Sequence, residues 1–349
     1  MGLCAGIFNQ HVDWAVENKT YNKSRAHKDL YATLRGEYPT VPSALLQTVR
    51  DTAMEAVKAT QFKRVPRKKP TSALRYDART ITLRSRQITL SCIGKRVQVS
   101  LHVPEYFQEV FETWEFKGAA LTYTKHKKQF WVRLVFEKED PPKQEEGDVL
   151  GIDRGLYHLA VTSQKQFFSS SKIRANQRRY LYNRKRLQQK GTSSSKRHLQ
   201  KMSGREKRFM KDINHCVSKN IARLPSIRTY SLENLTGIRN QRRNKKMNKW
   251  MSSWPFYQLE QFLTYKSEAL GKRVELVDAR YTSQKCSQCG HVHSTNRKRS
   301  RFCCKSCGYQ QHADINAAYN IRDNYILSST RVDRGAGHSQ LPSRKVRLT

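Results

Sequence analysis

The chain has 349 residues, enough for two or three domains, and its 37% hydrophobic content is low but still able to supply cores. Its 67 lysines and arginines stand against 28 aspartates and glutamates, a formal charge of +39, which points to polyanionic partners and phosphate contacts. Four of the eight cysteines form two Cys-x-x-Cys pairs, and the others (Cys4, Cys92, Cys216, Cys303) have no regular spacing, which excludes a secreted disulfide framework and predicts metal binding in a reducing compartment. No apolar run approaches the ~18–20 residues of a membrane span, and no charged-then-apolar leader opens the chain, so a soluble intracellular protein with no membrane partner is expected.

In chain order, residues 5–62 read as helices. In "LLQTVRDTAMEAVKAT", Leu46, Val49, Ala53 and Val57 fall on one stripe, and Ser43 is the expected cap after the prolines of "YPTVP". "KRVPRKKP" is a basic linker. From Arg75 to Glu139 the period changes to two, and a hairpin is predicted around Lys125–Lys128, with Tyr123, Phe130 and Trp131 expected in the core of a small barrel. "DVLGIDRGLYHLAVTS" predicts strand, tight turn and strand, with a short third strand in "KQFFSSS". The segment Lys172–Lys211 is rich in Lys and Arg with a single acid, Glu206. It predicts two amphipathic helices broken at Gly191–Ser195, the second carrying Phe209, Ile213, Val217, Ile221 and Leu224 at helical spacing. "IRTYSLENL" is a buried strand ending at Glu233. Arg239–Lys249 is a basic loop flanked by Trp250 and Trp254, which suit base stacking as well as core. A helix stopping at Gly271, the strand "KRVELVDA" and a final helix in "INAAYNIRDNYI" complete the pattern.

Two constellations carry chemistry. Cys286-Ser-Gln-Cys289 and Cys304-Lys-Ser-Cys307 have the spacing of a tetrahedral four-cysteine zinc ribbon. Gly290 and Gly308 follow the second cysteine of each knuckle, where a tight turn favours free φ. Register selects Cys304 over Cys303, because only Cys304 forms Cys-x-x-Cys with Cys307. Four thiolates leave no open position, so that ion is structural. The second constellation is three acids bordering apolar elements: Asp153 after "VLGI", Glu233 after "TYSL" and Asp314 before an Ala-rich helix. Burying three like charges is costly unless a cation neutralises them. Magnesium takes such hard oxygen ligands, and two ions would stabilise attacking and leaving oxygens in phosphodiester cleavage.

The order strand, strand, strand, helix, strand with Glu, helix, strand, helix with Asp is the ribonuclease H-like plan. In "GIDRGLYHLAVTS", "SLENLTGI" and "YTSQKCSQCG…FCCKSCGYQQHADINAAYNI" the chain resembles the TnpB (OrfB) family, insertion-sequence-encoded RNA-guided DNA nucleases related to type V CRISPR effectors. The match is specific from Gly151 to Ile321 and looser upstream. It implies an α+β multidomain fold: a helical recognition region over 1–66, a wedge-like β-barrel over 67–143, a RuvC-like nuclease core over 144–281 and 312–327, an inserted zinc ribbon over 282–311, and a flexible basic tail over 328–349. It implies that Asp153, Glu233 and Asp314 are catalytic ligands of Mg2+, two ions in all, and that Cys286, Cys289, Cys304 and Cys307 hold one structural Zn2+. Family members usually begin with a β-strand ahead of "YPTVPSALLQ". Here helix-like sequence starts almost at Met1, so the first barrel strand is expected to be missing.

The implied activity is RNA-guided cleavage of double-stranded target DNA, with a guide RNA derived from the transposon end, in the prokaryotic cytoplasm and on the nucleoid when DNA is bound. The basic segments would then line a channel for the RNA–DNA heteroduplex, through Arg178, Arg179, Arg184, Lys185 and Arg186 and through Arg242, Arg243, Lys245 and Lys246. A nuclease-inactive RNA-guided DNA-binding protein and an autonomous metal-dependent transposase are the alternatives.

Overall fold

The structure, a computed structural model, describes residues 1–125, 128–155, 157–235, 256–332 and 346–348, and the chain divides into two compact units. The first holds Met1–Glu139 together with the last strand of the chain. Helices α1 (Gly2–Glu17), α2 (Lys23–Glu37) and α3 (Ser43–Thr60) bury Ile7, Phe8, Val12, Leu45, Leu46, Val49, Ala53, Met54 and Val57 in a shared core. The predicted α3 stripe is therefore the buried face. Ser43 is not its cap: Pro42 occupies the N-cap position, and its carbonyl accepts the Leu45 and Leu46 N–H groups. A side-chain cap is found instead on α2, where Asn22 accepts from the Ser24 and Arg25 N–H groups.

The strands of this unit are β1 (Leu74–Tyr76), β2 (Ile81–Arg84), β3 (Gln87–Ser91), β4 (Arg96–Ser100), β5 (Glu115–Thr124) and β6 (Gln129–Lys138), with a short helix α4 (Gln108–Thr113) between β4 and β5. They form two sheets, β2-β3-β4 and β1-β5-β6 extended by a terminal strand, and no ladder among the described residues joins them. The expected barrel is thus not closed by backbone pairing. All five residues of β4 are exposed, Val97 and Val99 on one face included, so neither face of that strand is covered.

The expectation that Phe130 and Trp131 lie in a core is also wrong, since they are 64% and 50% exposed. The reason is register. β1 covers only Ala119–Leu121 of β5, and the terminal strand covers only Phe136–Lys138 of β6. The hairpin end therefore projects as a two-stranded ribbon with Tyr123 and Phe130 packed ring to ring, 4.9 Å between centroids.

The second unit, Asp140–Arg344, contains both candidate sites. Its sheet is built from β7 (Asp148–Asp153), β8 (His158–Thr162), β9 (Phe167–Ser169), β10 (Ile227–Glu233) and β11 (Arg273–Val277), in the spatial order β11-β10-β7-β8-β9. β7, β10 and β11 are parallel, and β8 and β9 are antiparallel additions. α5 (Ser171–Lys190) and α6 (Ser193–Ala222) are separated by Gly191 and Thr192, within the predicted break. The α6 stripe works as expected: Val217 and Ile221 are buried and Phe209, Ile213 and Leu224 pack beside them against Leu150, Ile152, Tyr230 and Leu232. The end of α6 is tied down from the sheet. Tyr230 Oη donates to the Ile221 and Ala222 carbonyls, and Lys272 Nζ donates to Ala222 O at 3.1 Å and Leu224 O at 2.6 Å.

α7 (Phe256–Glu268) packs on α6 and buries Phe256, Leu259 and Leu263. A small sheet, β12 (Arg297–Lys298), β13 (Arg301–Cys303) and β14 (Gln310–His312), runs directly into α8 (Ala313–Val332). α8 passes the predicted boundary at 327, and β15 (Val346–Leu348) pairs antiparallel with β6 where a loose tail is expected.

Candidate active site and metal centre

Parallel pairing brings the first two acids together. β7 and β10 run side by side with Ile152 opposite Leu232, so Asp153 and Glu233 leave the same carboxyl edge of the sheet. In open sheets of this kind that edge is where ligands are usually bound. The third acid comes from the first turn of α8. That helix lies directly on β7 and β10: Ser231 Oγ donates to Ile321 O at 3.1 Å, and Gly151 leaves no room for a side chain beneath Ala318. Three acids far apart in the chain thus share one corner of the fold.

The electrostatics agree with that convergence. The Asp153 carboxyl is held well above the ordinary carboxylate range, first by desolvation, then by the charges of Glu233 and Asp314, with Arg297 and Arg154 pulling the other way. Burial also raises Glu233, opposed by its Thr282 hydrogen bond and by Arg154 and Arg297. In this cluster Arg154 and Arg297 do not offset the combined effect of burial and mutual repulsion. The cluster's donors are hard oxygens, which fit a divalent ion such as magnesium.

Several side chains that sequence reasoning passed over hold the acids in place. Thr282 Oγ1 donates to Glu233 Oε1 and to Ala279 O. Arg154, with its side chain fully buried, donates to the Glu233 carbonyl and reaches Glu260 Oε2 at 2.9 Å. Desolvation lowers its pKa, which the neighbouring acids oppose. Arg297 donates to Asp314 Oδ1 at 2.7 Å, and His158 Nδ1 lies 2.9 Å from Asp314 Oδ2. Asn316 and Asn320, one helical turn apart on α8, both donate to Lys285 O, and Asn320 also donates to Thr282 O. The i,i+4 spacing of the two asparagines beside Asp314 is a signal legible in the sequence. The roles of Arg154 and Thr282 are not, because their partners are distant in sequence.

The four thiols of Cys286, Cys289, Cys304 and Cys307 lie within 4.8 Å of one another and could hold one tetrahedral ion. Sγ–Sγ separations are 3.7 Å for Cys286–Cys307 and 3.6 Å for Cys289–Cys304. Cys303, on β13, is outside this cluster, as register requires. Gly290 and Gly308 take φ of 76° and 74°, the conformation expected of them. The Cys304 thiol is lowered to about 6, first by the Cys307 backbone N–H, whereas Cys307 is pushed up to about 12 and burial raises Cys286, so without an ion the cluster favours a thiolate at Cys304 alone of these three. The ribbon also reaches the acids, since Arg297 stands on β12 and His312 ends β14.

The basic residues divide. Arg178, Arg179, Lys185 and Arg186 are exposed on α5, whereas Arg184 pairs with Glu206, the one acid of the segment. Arg242, Arg243, Lys245 and Lys246, with Trp250 and Trp254, lie outside the described residues. No helix among the described residues is long and apolar enough to cross a membrane.

Comparison with known proteins matches the same two regions. Residues 132–236 match the OrfB_IS605 family, described as "Probable transposase", and residues 256–321 match "Cas12f1-like, TNB domain". The chain is 42% identical over 94 residues to the CRISPR-associated endodeoxyribonuclease Cas12f1 of Sulfoacidibacillus thermotolerans, covering 27% of this chain and 21% of that protein. It is 34% identical over 115 residues to Cas12f1 of Syntrophomonas palmitatica, covering 32% and 22% respectively, so about a fifth of each Cas12f1 is spanned. A TnpB-like protein of Methanocaldococcus jannaschii is 25% identical over 247 residues, covering 65% of this chain and 86% of that one. Both family matches, in this order along the chain, together with the relatives named TnpB-like, bear out the resemblance to the TnpB (OrfB) family.

Proposed function

We propose that the chain is an RNA-guided, metal-dependent DNA endonuclease of transposon origin, with a ribonuclease H-like core. The observation that carries this reading is the gathering of Asp153, Glu233 and Asp314 at one sheet edge, where the charges of Glu233 and Asp314 raise the proton affinity of Asp153. Asp153, Glu233 and Asp314 would hold two magnesium ions. Bound there, magnesium supplies Lewis acidity at the scissile phosphate and lowers the pKa of a water nucleophile. The rest falls to the chain's own side chains. Thr282 fixes one Glu233 oxygen, Arg154 fixes the Glu233 backbone, and Arg297 with His158 fixes both oxygens of Asp314. Such positioning keeps the acids together without metal and limits the reorganisation needed when substrate arrives. Cys286, Cys289, Cys304 and Cys307 would hold one structural zinc, which sets the ribbon and through it Arg297.

The exposed cations of α5 supply sequence-independent phosphate contacts, and base pairing with a guide RNA derived from the transposon end would supply target choice in double-stranded DNA. The working compartment would be the prokaryotic cytoplasm. The test is guided cleavage by Asp153→Ala, Glu233→Ala and Asp314→Ala proteins, loaded with the RNA that copurifies with wild type. Each should lose cleavage in magnesium and keep guided DNA binding. Near wild-type cutting by any one of them refutes the assignment.

A further inference from the structure

Beside the carboxylate cluster stands a second donor set of different chemistry. His158, His312 and Asp314 each place a ligand atom within 4.8 Å of the others. His158 comes from the start of β8, His312 from the end of the ribbon strand β14, and Asp314 from the first turn of α8. The two imidazoles are packed. Their centroids are 5.6 Å apart, and Phe167 of β9 meets each ring edge-on at 5.0 Å. Asp314 is oriented too: Arg297 occupies Oδ1, which leaves Oδ2 facing His158 Nδ1 at 2.9 Å. The Asp314 backbone N–H donates to His312 Nδ1 at 3.3 Å, which holds that ring against the same residue.

Two nitrogens and one carboxylate oxygen, three donors of the four a tetrahedral ion takes, are a donor set that suits zinc and its borderline neighbours. Magnesium prefers oxygen and gains little from imidazole. Aromatic packing and the Arg297 contact are the kind of outer support that fixes ligand orientation at metal sites.

We propose that His158, His312 and Asp314 form a binding site for a zinc-class transition-metal ion, separate from the four-cysteine centre and sharing only Asp314 with the carboxylate cluster. On binding, the ion takes the place of the His158 Nδ1–Asp314 Oδ2 hydrogen bond. The binding claim stands on the donor geometry alone. Its consequence rests on the proposed nuclease activity: an ion held here takes Asp314 away from the hard-ion position, so zinc suppresses cleavage supported by magnesium.

The test uses the full chain with its ribbon already zinc-loaded. Equilibrium dialysis against zinc followed by elemental analysis should show a second equivalent on wild type. Cobalt added to the zinc-loaded protein should give ligand-field absorption without sulfur charge-transfer bands. His158→Gln and His312→Gln should each lose the second equivalent, or bind it at least ~10–100-fold more weakly, the loss that follows from removing even an outer partner of a metal ligand. Both should retain the ribbon zinc, which reports that the unit is folded. Asp153→Asn should keep the second equivalent. The site is overturned if wild type takes up ribbon zinc only, if the second equivalent survives both histidine substitutions, or if Asp153→Asn abolishes it. If uptake follows this pattern while zinc leaves cleavage unchanged, the metal site stands and the link to the nuclease fails.

Discussion

Gly151 is the position at which the fold of the second unit and the acid site depend on the same few cubic ångströms. Its φ is unremarkable for any residue, so conformational freedom is not why glycine stands there; space is. A Cβ at this point would sit 2.0 Å from Ala318 O and 2.7 Å from Arg322 N, both backbone atoms of α8. Ordinary contact begins near 3.4 Å, so Gly151→Ala requires α8 and β7 to separate by about 1.4 Å. Overpacking of this kind costs ~1–3 kcal/mol, and backbone cannot swing aside as a side-chain tip can, so the upper end applies. For a unit of this size ~3 kcal/mol corresponds to a fall of about 6–12 °C in melting temperature. The shift also moves Asp314, carried on α8, away from Asp153. Misplacement of about 1 Å costs on the order of 100-fold in rate.

A control has the opposite sign. Gly204 lies inside α6, where a Cβ would meet only the far end of the Arg208 side chain at 3.4 Å. Gly204→Ala should gain up to ~1 kcal/mol of helix propensity and melt a few degrees higher. Calorimetry of the zinc-loaded chain reads both. A Gly151→Ala protein that melts at or above wild type refutes the packing argument.

The pH dependence of stability follows from the raised acids. Asp153 and Glu233 bind protons more tightly folded than unfolded, so their contribution is fully present below the ordinary carboxylate range and is lost as pH rises through their raised folded values. In magnesium-free buffer, melting temperature should fall between weakly acidic and neutral pH. Asp153→Asn should flatten that fall and melt higher than wild type at neutral pH, and equal slopes for the two proteins would contradict it. Elemental analysis in zinc-free buffer should find about one zinc per chain, lost in Cys286→Ser and Cys307→Ser. Loss in Cys303→Ser with retention in Cys304→Ser would reverse the ligand choice. Neutralising Arg178, Arg179, Lys185 and Arg186 together should weaken nucleic-acid binding on every guide and lower the salt slope by roughly one unit for each phosphate no longer neutralised. An unchanged slope would mean that this face of α5 meets solvent only. Arg184 is left out because Glu206 already neutralises it.

Local chemistry is legible from the residues alone. A Cys-x-x-Cys knuckle is its own geometry, since the spacing that lets two thiols face one ion lies within four residues. Carboxylates closing apolar strands at Asp153 and Glu233 are conspicuous because a solvated charge has no reason to stand there. The α6 stripe is legible because helical period and buried face are one property. Tertiary structure decided what depends on distant partners. Whether the strands of the first unit close into a barrel depends on edge pairing, and among the described residues no ladder joins the two sheets, while Phe130 and Trp131 stand exposed at the hairpin end. Arg184 reads as a free cation until α6 brings Glu206 against it. The supports of the acid site, Arg154, His158, Thr282, Arg297 and His312, come from strands, loops and the ribbon. No local period links them, because what joins them is the parallel register of β7 with β10 and the close seat of α8 over Gly151.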